Sequence, residues 1–344
     1  MRVGAFVLAA QFPGQGQGEA LHRAVRTAEV AEEAGLDSVW LAEHHFVPYG
    51  VCPSAVTLAA LMLGRTRRLR VGTAVSVLPS THPVALGEQA ALLHLTSEGR
   101  FTLGVGRGGP WVDLEVFGGG LDAYENRFPE DLDLLRRWLA EPRVGQSSAA
   151  AAGGRYGFRE VPVVPRASEA LHGDGSGPEL IVACTSPGSV RLAAERGLPM
   201  LLGMHCGDED KAAMVELWRR TARAAGRSPE AGHVSAGVCQ LADRTADARE
   251  TLLKAMPGWL KQGLDAHVTV DGRQRAMRDP VAYTELLCDL HPVGTPELAA
   301  DRLAATSERT GITRFALLTE GSGDLASTEE NLRRLGAEVL PRLG

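Results

Sequence analysis
Short apolar runs alternate with amphipathic segments along the whole chain, and that alternation limits the fold more than any single motif does. Val3–Ala9 reads as a strand and Ala20–Ala34 as a helix closed by Gly35. Ser38–Ala42 is strand-like, Ser54–Leu63 helical and Leu69–Val77 a third strand, after which Pro83 opens a helix. Phe101–Val105 is a fourth strand, and the amphipathic Glu130–Ala140 is its helix. Two low-complexity loops, 145–154 and 172–178, then flank the stretch 155–165, which reads as a short hairpin. Alternation resumes with strand Glu179–Ala183, helix Ser189–Arg196, strand Met200–Gly203 and helix Asp210–Ala225. Val234–Leu241 is the seventh strand and Ala246–Leu260 its helix. Beyond an irregular stretch come helix Glu297–Thr310, strand Arg314–Leu318 and helix Thr328–Leu340.

Eight strands, each followed by a helix, imply parallel pairing and a closed (β/α)8 TIM barrel. The expectation is one domain over residues 1–344, with insertions after strand four (about 141–178) and strand seven (about 263–292). The competing fold is an open doubly wound sheet, because Gly104-x-Gly106-x-x-Gly109 has the spacing of a dinucleotide-binding turn. That turn belongs after the first strand, however, and here it follows the fourth. Pro110-Trp111 and Phe117-Gly118-Gly119-Gly120 then keep the chain in a loop, and Glu130 and Asp131 open a helix where an acidic strand end is needed. The dinucleotide reading fails.

Charge and composition exclude other classes. A net charge of -6 gives no basic field for nucleic acid, and Arg65-Thr66-Arg67-Arg68 reads as a solvated loop. No stretch approaches the roughly 20 apolar residues of a membrane span. Val3–Ala10 runs into Gln11-Phe12-Pro13-Gly14 and reads as a first strand, not as a signal sequence. Cys52, Cys184, Cys206, Cys239 and Cys288 are odd in number and widely spaced, which argues against disulfides or structural zinc and for a reducing cytoplasm.

In a barrel the chemistry sits at the carboxyl ends of the strands. Those ends carry Glu43-His44-His45-Phe46 after strand two, Pro79–Pro83 beyond strand three, Gly106-Arg107-Gly108 after strand four, and Cys184–Ser189 after strand five. Ser186 precedes Pro187 as an N-cap precedes N1, so the helix start can face an anion, and Arg107 can bring a charged fork to the same place. The alternative is an ordinary capped helix beside a solvated arginine. His44 and His45 are adjacent and point in different directions, so a shared metal ion is disfavoured and no metal site is expected. A general acid–base histidine fits better, since imidazole titrates near neutral pH.

The segments "GLDSVWLAEHHF", "RLRVGTAVSVLPSTHPV", "SEGRFTLGVGRG" and "HPVGTPE", with "GLPM" and "TGI" in order, resemble the bacterial luciferase-like flavin monooxygenases, most closely the luciferase catalytic subunit. The resemblance implies a (β/α)8 barrel that takes reduced FMN (FMNH2) from a separate reductase. With O2 it would form a flavin hydroperoxide and oxygenate an aldehyde or another small organic molecule. Carried over by position, it implies that Arg107 binds the FMN phosphate, with Gly108 beside it and Thr185, Ser186 and Ser189 at the facing helix start. Thr73, Ala74 and Val75 would pass the isoalloxazine ring, where the family often holds a non-prolyl cis peptide. Glu43 matches an acidic residue near the flavin, His44 the catalytic histidine, and 263–292 a mobile lid. Gly106 stands where luciferase has a reactive cysteine, which questions light emission more than oxygenation. A homodimer without a second type of subunit is expected. Two further readings share the lineage: a deazaflavin-dependent hydride-transfer enzyme and a non-catalytic flavin-binding protein. Retention of Glu43-His44-His45 and "LPSTHP" favours the monooxygenase branch. Phe46, Val75, Trp111, Trp259 and Tyr283 either line a substrate cavity or belong to the core.

Overall fold
Alternate residues of the strands face two different apolar layers, as a closed barrel requires. In β1 (Arg2–Val7), Val3, Ala5 and Val7 join the layer between strands and outer helices, while Phe6 points into the barrel. The same split separates Phe315 and Leu317 from Ala316 and Leu318 in β8 (Arg314–Leu318), and Leu180 and Val182 from Ile181 in β5 (Glu179–Cys184). Strands buried on both faces read as continuous apolar runs, which is why the sequence shows them clearly.

The computed structural model describes residues 1–145, 156–171, 175–273 and 279–344. The remaining barrel strands are β2 (Ser38–Leu41), β3 (Arg70–Thr73), β4 (Phe101–Gly106), β6 (Met200–Leu202) and β7 (Val234–Val238). All pair in parallel in the order β3-β2-β1-β8-β7-β6-β5-β4, and β3 pairs with β4 to close the ring.

Both ends of the barrel are tied by ion pairs, partly buried at one end and fully buried at the other. At the amino end Arg314 donates Nη1 and Nη2 to the two carboxylate oxygens of Glu179, at 2.6 and 2.8 Å, beside Trp40. At the carboxyl end Arg23 and Glu320 pair at 3.3 Å, Glu320 also accepts from the Leu8 amide, and Arg23 donates to the carbonyls of Ala10 and Gly323. Burial raises the Glu320 carboxyl above its usual range, partly offset by Arg23.

Several boundaries differ from the sequence expectation. Strand three is broken: β3 ends at Thr73, the Ala74–Val75 peptide is cis, and Ser76–Val77 pairs separately with Val105–Gly106. Strand seven ends at Val238, and Gln240–Leu241 turns away to pair with Val293–Gly294. The last helix runs Leu325–Arg334, followed by a π turn at Leu335–Val339. The stretch expected as loop after the glycines holds a short helix, Asp113–Val116. The expected hairpin is replaced by an antiparallel pair of Val161–Pro162 with Arg143–Val144, while the low-complexity residues 146–155 and 172–174 lie outside the described residues. The expected lid loop contains the end of helix Thr245–Asp265 and an 11-residue helix, Pro280–Leu290, capped by the Asp279 side chain on the Ala282 amide. None of the described helices is long and apolar enough to cross a membrane.

Candidate active site
A cavity of about 910 Å3 opens at the carboxyl ends of β2 to β5. Its walls are Ala42 to His45 after β2, Ala74, Val75 and Val77 after β3, Gly108, Gly109, Trp111 and Asp113 after β4, and Thr185 after β5. Leu264, Asp265, His267, Thr269 and Arg273 cover it from the segment after β7. That cover is tied down by backbone: the Val112 amide donates to the Val268 carbonyl at 2.9 Å, and the Val270 amide to the Pro110 carbonyl at 3.0 Å. The loop after β4 and the segment after β7 therefore meet as a short antiparallel bridge.

Of the residues singled out in the sequence, Glu43, His44, Ala74, Val75, Gly108 and Thr185 line this cavity. Glu43 is at the wall, but its carboxylate is engaged elsewhere. Oε2 accepts from the Ala55 amide at 3.0 Å and Oε1 from the Val77 amide at 2.9 Å. Ala55 is the first residue of helix Ala55–Arg65, so Glu43 joins a helix start to the end of strand three. That geometry fits a positioning residue better than a proton donor.

His44 stands edge-on to Tyr49, with ring centroids 5.0 Å apart, and its Nδ1 is enclosed with no hydrogen-bond partner among the described residues. Burial pushes its pKa down to about 3, helped by the neighbouring His267 and His45. His44 is therefore a neutral imidazole near pH 7, able to accept a proton but not to supply one as imidazolium. His45 turns the other way, edge-on to Phe117, with Nε2 3.7 Å from Glu43.

Other predicted residues stand off the cavity. Thr73 is fully buried, and its Oγ1 exchanges hydrogen bonds with the Gly104 carbonyl and amide across the β3–β4 seam. Ser186 and Ser189 form a capping box: Ser186 Oγ accepts from the Ser189 amide at 3.3 Å, and Ser189 Oγ accepts from the amides of Thr185 and Ser186. Arg107 is exposed at the end of β4, and the Val105–Val182 register of β4 and β5, continued outward, sets it opposite Cys184, two residues before the Ser186 cap. It makes no ion pair among the described residues; its guanidinium lies 4.0 Å over the Tyr124 ring. Trp259 is core, stacked on Tyr49 with Nε1 donating to the Tyr49 carbonyl. Phe46 is exposed against Phe117, and Tyr283 lies off the cavity wall.

Gly106 has a packing reason. A Cβ there would come within 2.5 Å of Val75 Cγ2, so a cysteine at this position would require Val75 to move. Gly108 has φ +69, and a Cβ on it would meet Val77 at 2.8 Å. These glycines let Val75 and Val77 pack against the end of β4, which sets the cavity wall there, and the volume of the cavity suits a cofactor-sized ligand.

Sequence reasoning missed Asp113, His205 and His267. Asp113 is buried, accepts weakly from Ser80 Oγ at 3.3 Å, and is raised in pKa by that burial. His267 bonds the Gly263 carbonyl through Nδ1, rests 4.6 Å from the Trp111 ring, and is lowered in pKa by burial. Burial thus holds Asp113, His44 and His267 toward their neutral forms. No group of three His, Cys, Asp or Glu with metal-site geometry occurs among the described residues.

Comparison with known proteins agrees with this geometry. The family model for luciferase-like monooxygenases matches residues 1–314. The alkanal monooxygenase alpha chain of Photorhabdus luminescens is 29% identical over 363 residues, covering 100% of this chain and 97% of that one. Among solved structures, monooxygenase RslO1 from Streptomyces bottropensis superposes with a TM-score of 0.84 at 24% identity and full coverage of both chains. The oxygenating constituent of 3,6-diketocamphane monooxygenase from Pseudomonas putida, in complex with FMN, gives 0.77 at 22%, covering 100% and 99%. An F420-dependent secondary alcohol dehydrogenase gives 0.73 at 18%, covering 100% and 99%. The match over nine-tenths of the chain, on a barrel whose strand ends enclose such a cavity, makes this protein a member of the luciferase-like monooxygenase family and a flavin-dependent monooxygenase.

Proposed function
We propose that the protein is an FMNH2-dependent monooxygenase that takes reduced FMN from a separate reductase and transfers one oxygen atom of O2 to a small organic substrate. The observation that carries this reading is the cavity at the β2–β5 ends, with Arg107, which makes no ion pair among the described residues, exposed at the end of β4 next to the strand that leads into a capped helix start. Arg107 and the start of helix Pro187–Glu195 would hold the terminal phosphate, as an anion is held by fixed charge and helix dipole. Ala74, Val75, Gly106 and Gly108 would lie along the ring system. Reduced flavin, when bound, supplies the electrons that split dioxygen between substrate and water. The chain's own contribution is placement and exclusion. His44 offers a neutral imidazole, and with Nδ1 enclosed, Nε2 is the nitrogen left to exchange a proton. The bridge between 110–112 and 268–270 would help keep water from the reacting space by covering one side of it.

The subunits would pair through helices Ala55–Arg65 and Pro83–Thr96, which leave Leu61 and Leu92 exposed at 46% and 54%. Sedimentation measures that state directly, and a monomer at micromolar concentration would count against the homodimer. The function itself is tested by supplying FMN, a flavin reductase, NADH and a panel of aldehydes, ketones and phenols under 18O2. One labelled oxygen atom in a product supports the reading. Hydride exchange with deazaflavin F420 and no O2 consumption would replace it with the dehydrogenase reading that the F420-dependent neighbour favours.

A further inference from the structure
We propose that Tyr124 is the second arm of the phosphate site: its hydroxyl donates to the flavin's terminal phosphate while its ring holds Arg107 in place. The inference rests on reading Arg107 as the phosphate cation. One residue engages both the face and the edge of that guanidinium. Its Cζ lies over the Tyr124 ring, 4.0 Å from the centroid, and Nη2 donates to the Tyr124 hydroxyl oxygen at 3.0 Å. A planar cation stacked on an aromatic ring loses little freedom when it meets an anion, because its orientation is already set.

The local chain explains why Tyr124 is there. It lies in a π turn, Ala123–Arg127, that leads into helix Phe128–Ala140. The extra residue of a π turn re-aims the side chains of its turn, and such turns recur at functional sites. The other arginine of this turn, Arg127, is neutralised by Asp122 at 2.8 Å. Arg107 has no such carboxylate among the described residues, so its charge is left for a ligand.

The donor count then points to Tyr124. Its hydroxyl accepts from Arg107 and still has its own proton to give. An anion that meets the guanidinium meets that proton too, and a chain from arginine through phenol to phosphate strengthens each hydrogen bond in turn. The chemical class recognised is a terminal phosphate monoester.

The test compares FMN with riboflavin, which is the same ring system without the phosphate, by fluorescence titration of the oxidised flavins. The unaltered protein is expected to prefer FMN, and Arg107→Ala to weaken FMN about 30- to 100-fold with little change for riboflavin. Tyr124→Phe keeps the ring and removes only the hydroxyl, so FMN should weaken about tenfold and riboflavin less than twofold. In the double variant the two losses should be less than additive, since the phenol acts together with the guanidinium. Equal affinity of the unaltered protein for both flavins overturns the phosphate site and this role with it. Lost FMN preference in Arg107→Ala but not in Tyr124→Phe overturns the role of Tyr124 alone. If Tyr124→Phe weakens riboflavin as much as FMN, Tyr124 shapes the fold and not the anion site, and the inference fails.

Discussion
Replacing Glu43 with glutamine separates structure from chemistry at the residue where the two were easiest to confuse. Each carboxylate oxygen accepts one backbone N–H, from Ala55 and from Val77. Glutamine keeps one acceptor and puts an NH2 group against the other amide. One hydrogen bond to a charged group is lost, about 1.5–3 kcal/mol, and two donors then face each other. The negative charge at the start of helix Ala55–Arg65 goes as well, a further ~0.5 kcal/mol. A total of about 2–3.5 kcal/mol is expected. At about 2.1 cal/mol/K per residue over 344 residues, the entropy of unfolding is about 0.7 kcal/mol/K, so the melting temperature should drop by about 3–5 °C.

Thermal melts by circular dichroism read that shift, with flavin titrations in parallel. Because Val77 follows the Ala74–Val75 wall of the cavity, FMN affinity should fall modestly together with stability. Glu43→Ala should melt lower still, as both amides lose their acceptor. The reasoning is refuted if Glu43→Gln melts like the unaltered protein yet turns over at least a hundredfold more slowly. Glu43 would then be a catalytic acid or base, whatever its present bonding.

His44→Ala should lower product formation at least about tenfold with FMN affinity and melting temperature nearly unchanged, because the loss of packing against Tyr49 is offset by removal of an enclosed, unpartnered nitrogen; normal turnover with a melt several degrees lower would make it structural. Stability should fall with acid starting near pH 6.5. Burial holds His44, His233 and His291 at about 3, 4 and 3 in the fold, so each takes up a proton on unfolding below the unfolded value and none does above it. Between pH 6 and 5 the three histidines contribute up to about 3–4 kcal/mol per pH unit to that slope, offset in part by the raised carboxyls of Glu320 and Asp113, and a melting temperature flat from pH 7 to 5 contradicts it. The five cysteines are all buried, and burial pushes Cys52 and Cys288 up to about 11 and Cys184 and Cys239 up to about 12. Ellman's reagent should therefore label the folded protein only as fast as it opens, and a prompt stoichiometric reaction of one thiol would restore the case for a reactive cysteine.

The barrel was legible because its strands are apolar on both faces, so each leaves a run such as Arg314–Leu318 whose limits the structure reproduces. Apolarity does not name a partner, however. Gln240 and Leu241 stay buried after leaving the barrel, so the pattern ran on through them, and the apolar pattern of Leu69–Val77 does not signal the break between β3 and Ser76–Val77, which only the family resemblance pointed to. Helix Pro280–Leu290 did carry a written signal, Asp279 as N-cap and Pro280 at N1, which the family likeness to a loop overrode. At the site the limit is different in kind. Position at a strand end follows from sequence order, which is why Glu43, His44 and Gly108 reach the cavity wall. What a polar group does there depends on which donors or acceptors tertiary folding brings to it. Glu43 finds amides 12 and 34 residues away, Asp113 a hydroxyl 33 residues away, and Arg107 a phenol 17 residues away. A carboxylate whose two oxygens are already filled cannot be distinguished in sequence from one aimed at substrate, so residue type locates candidates and only the hydrogen-bond inventory assigns their roles.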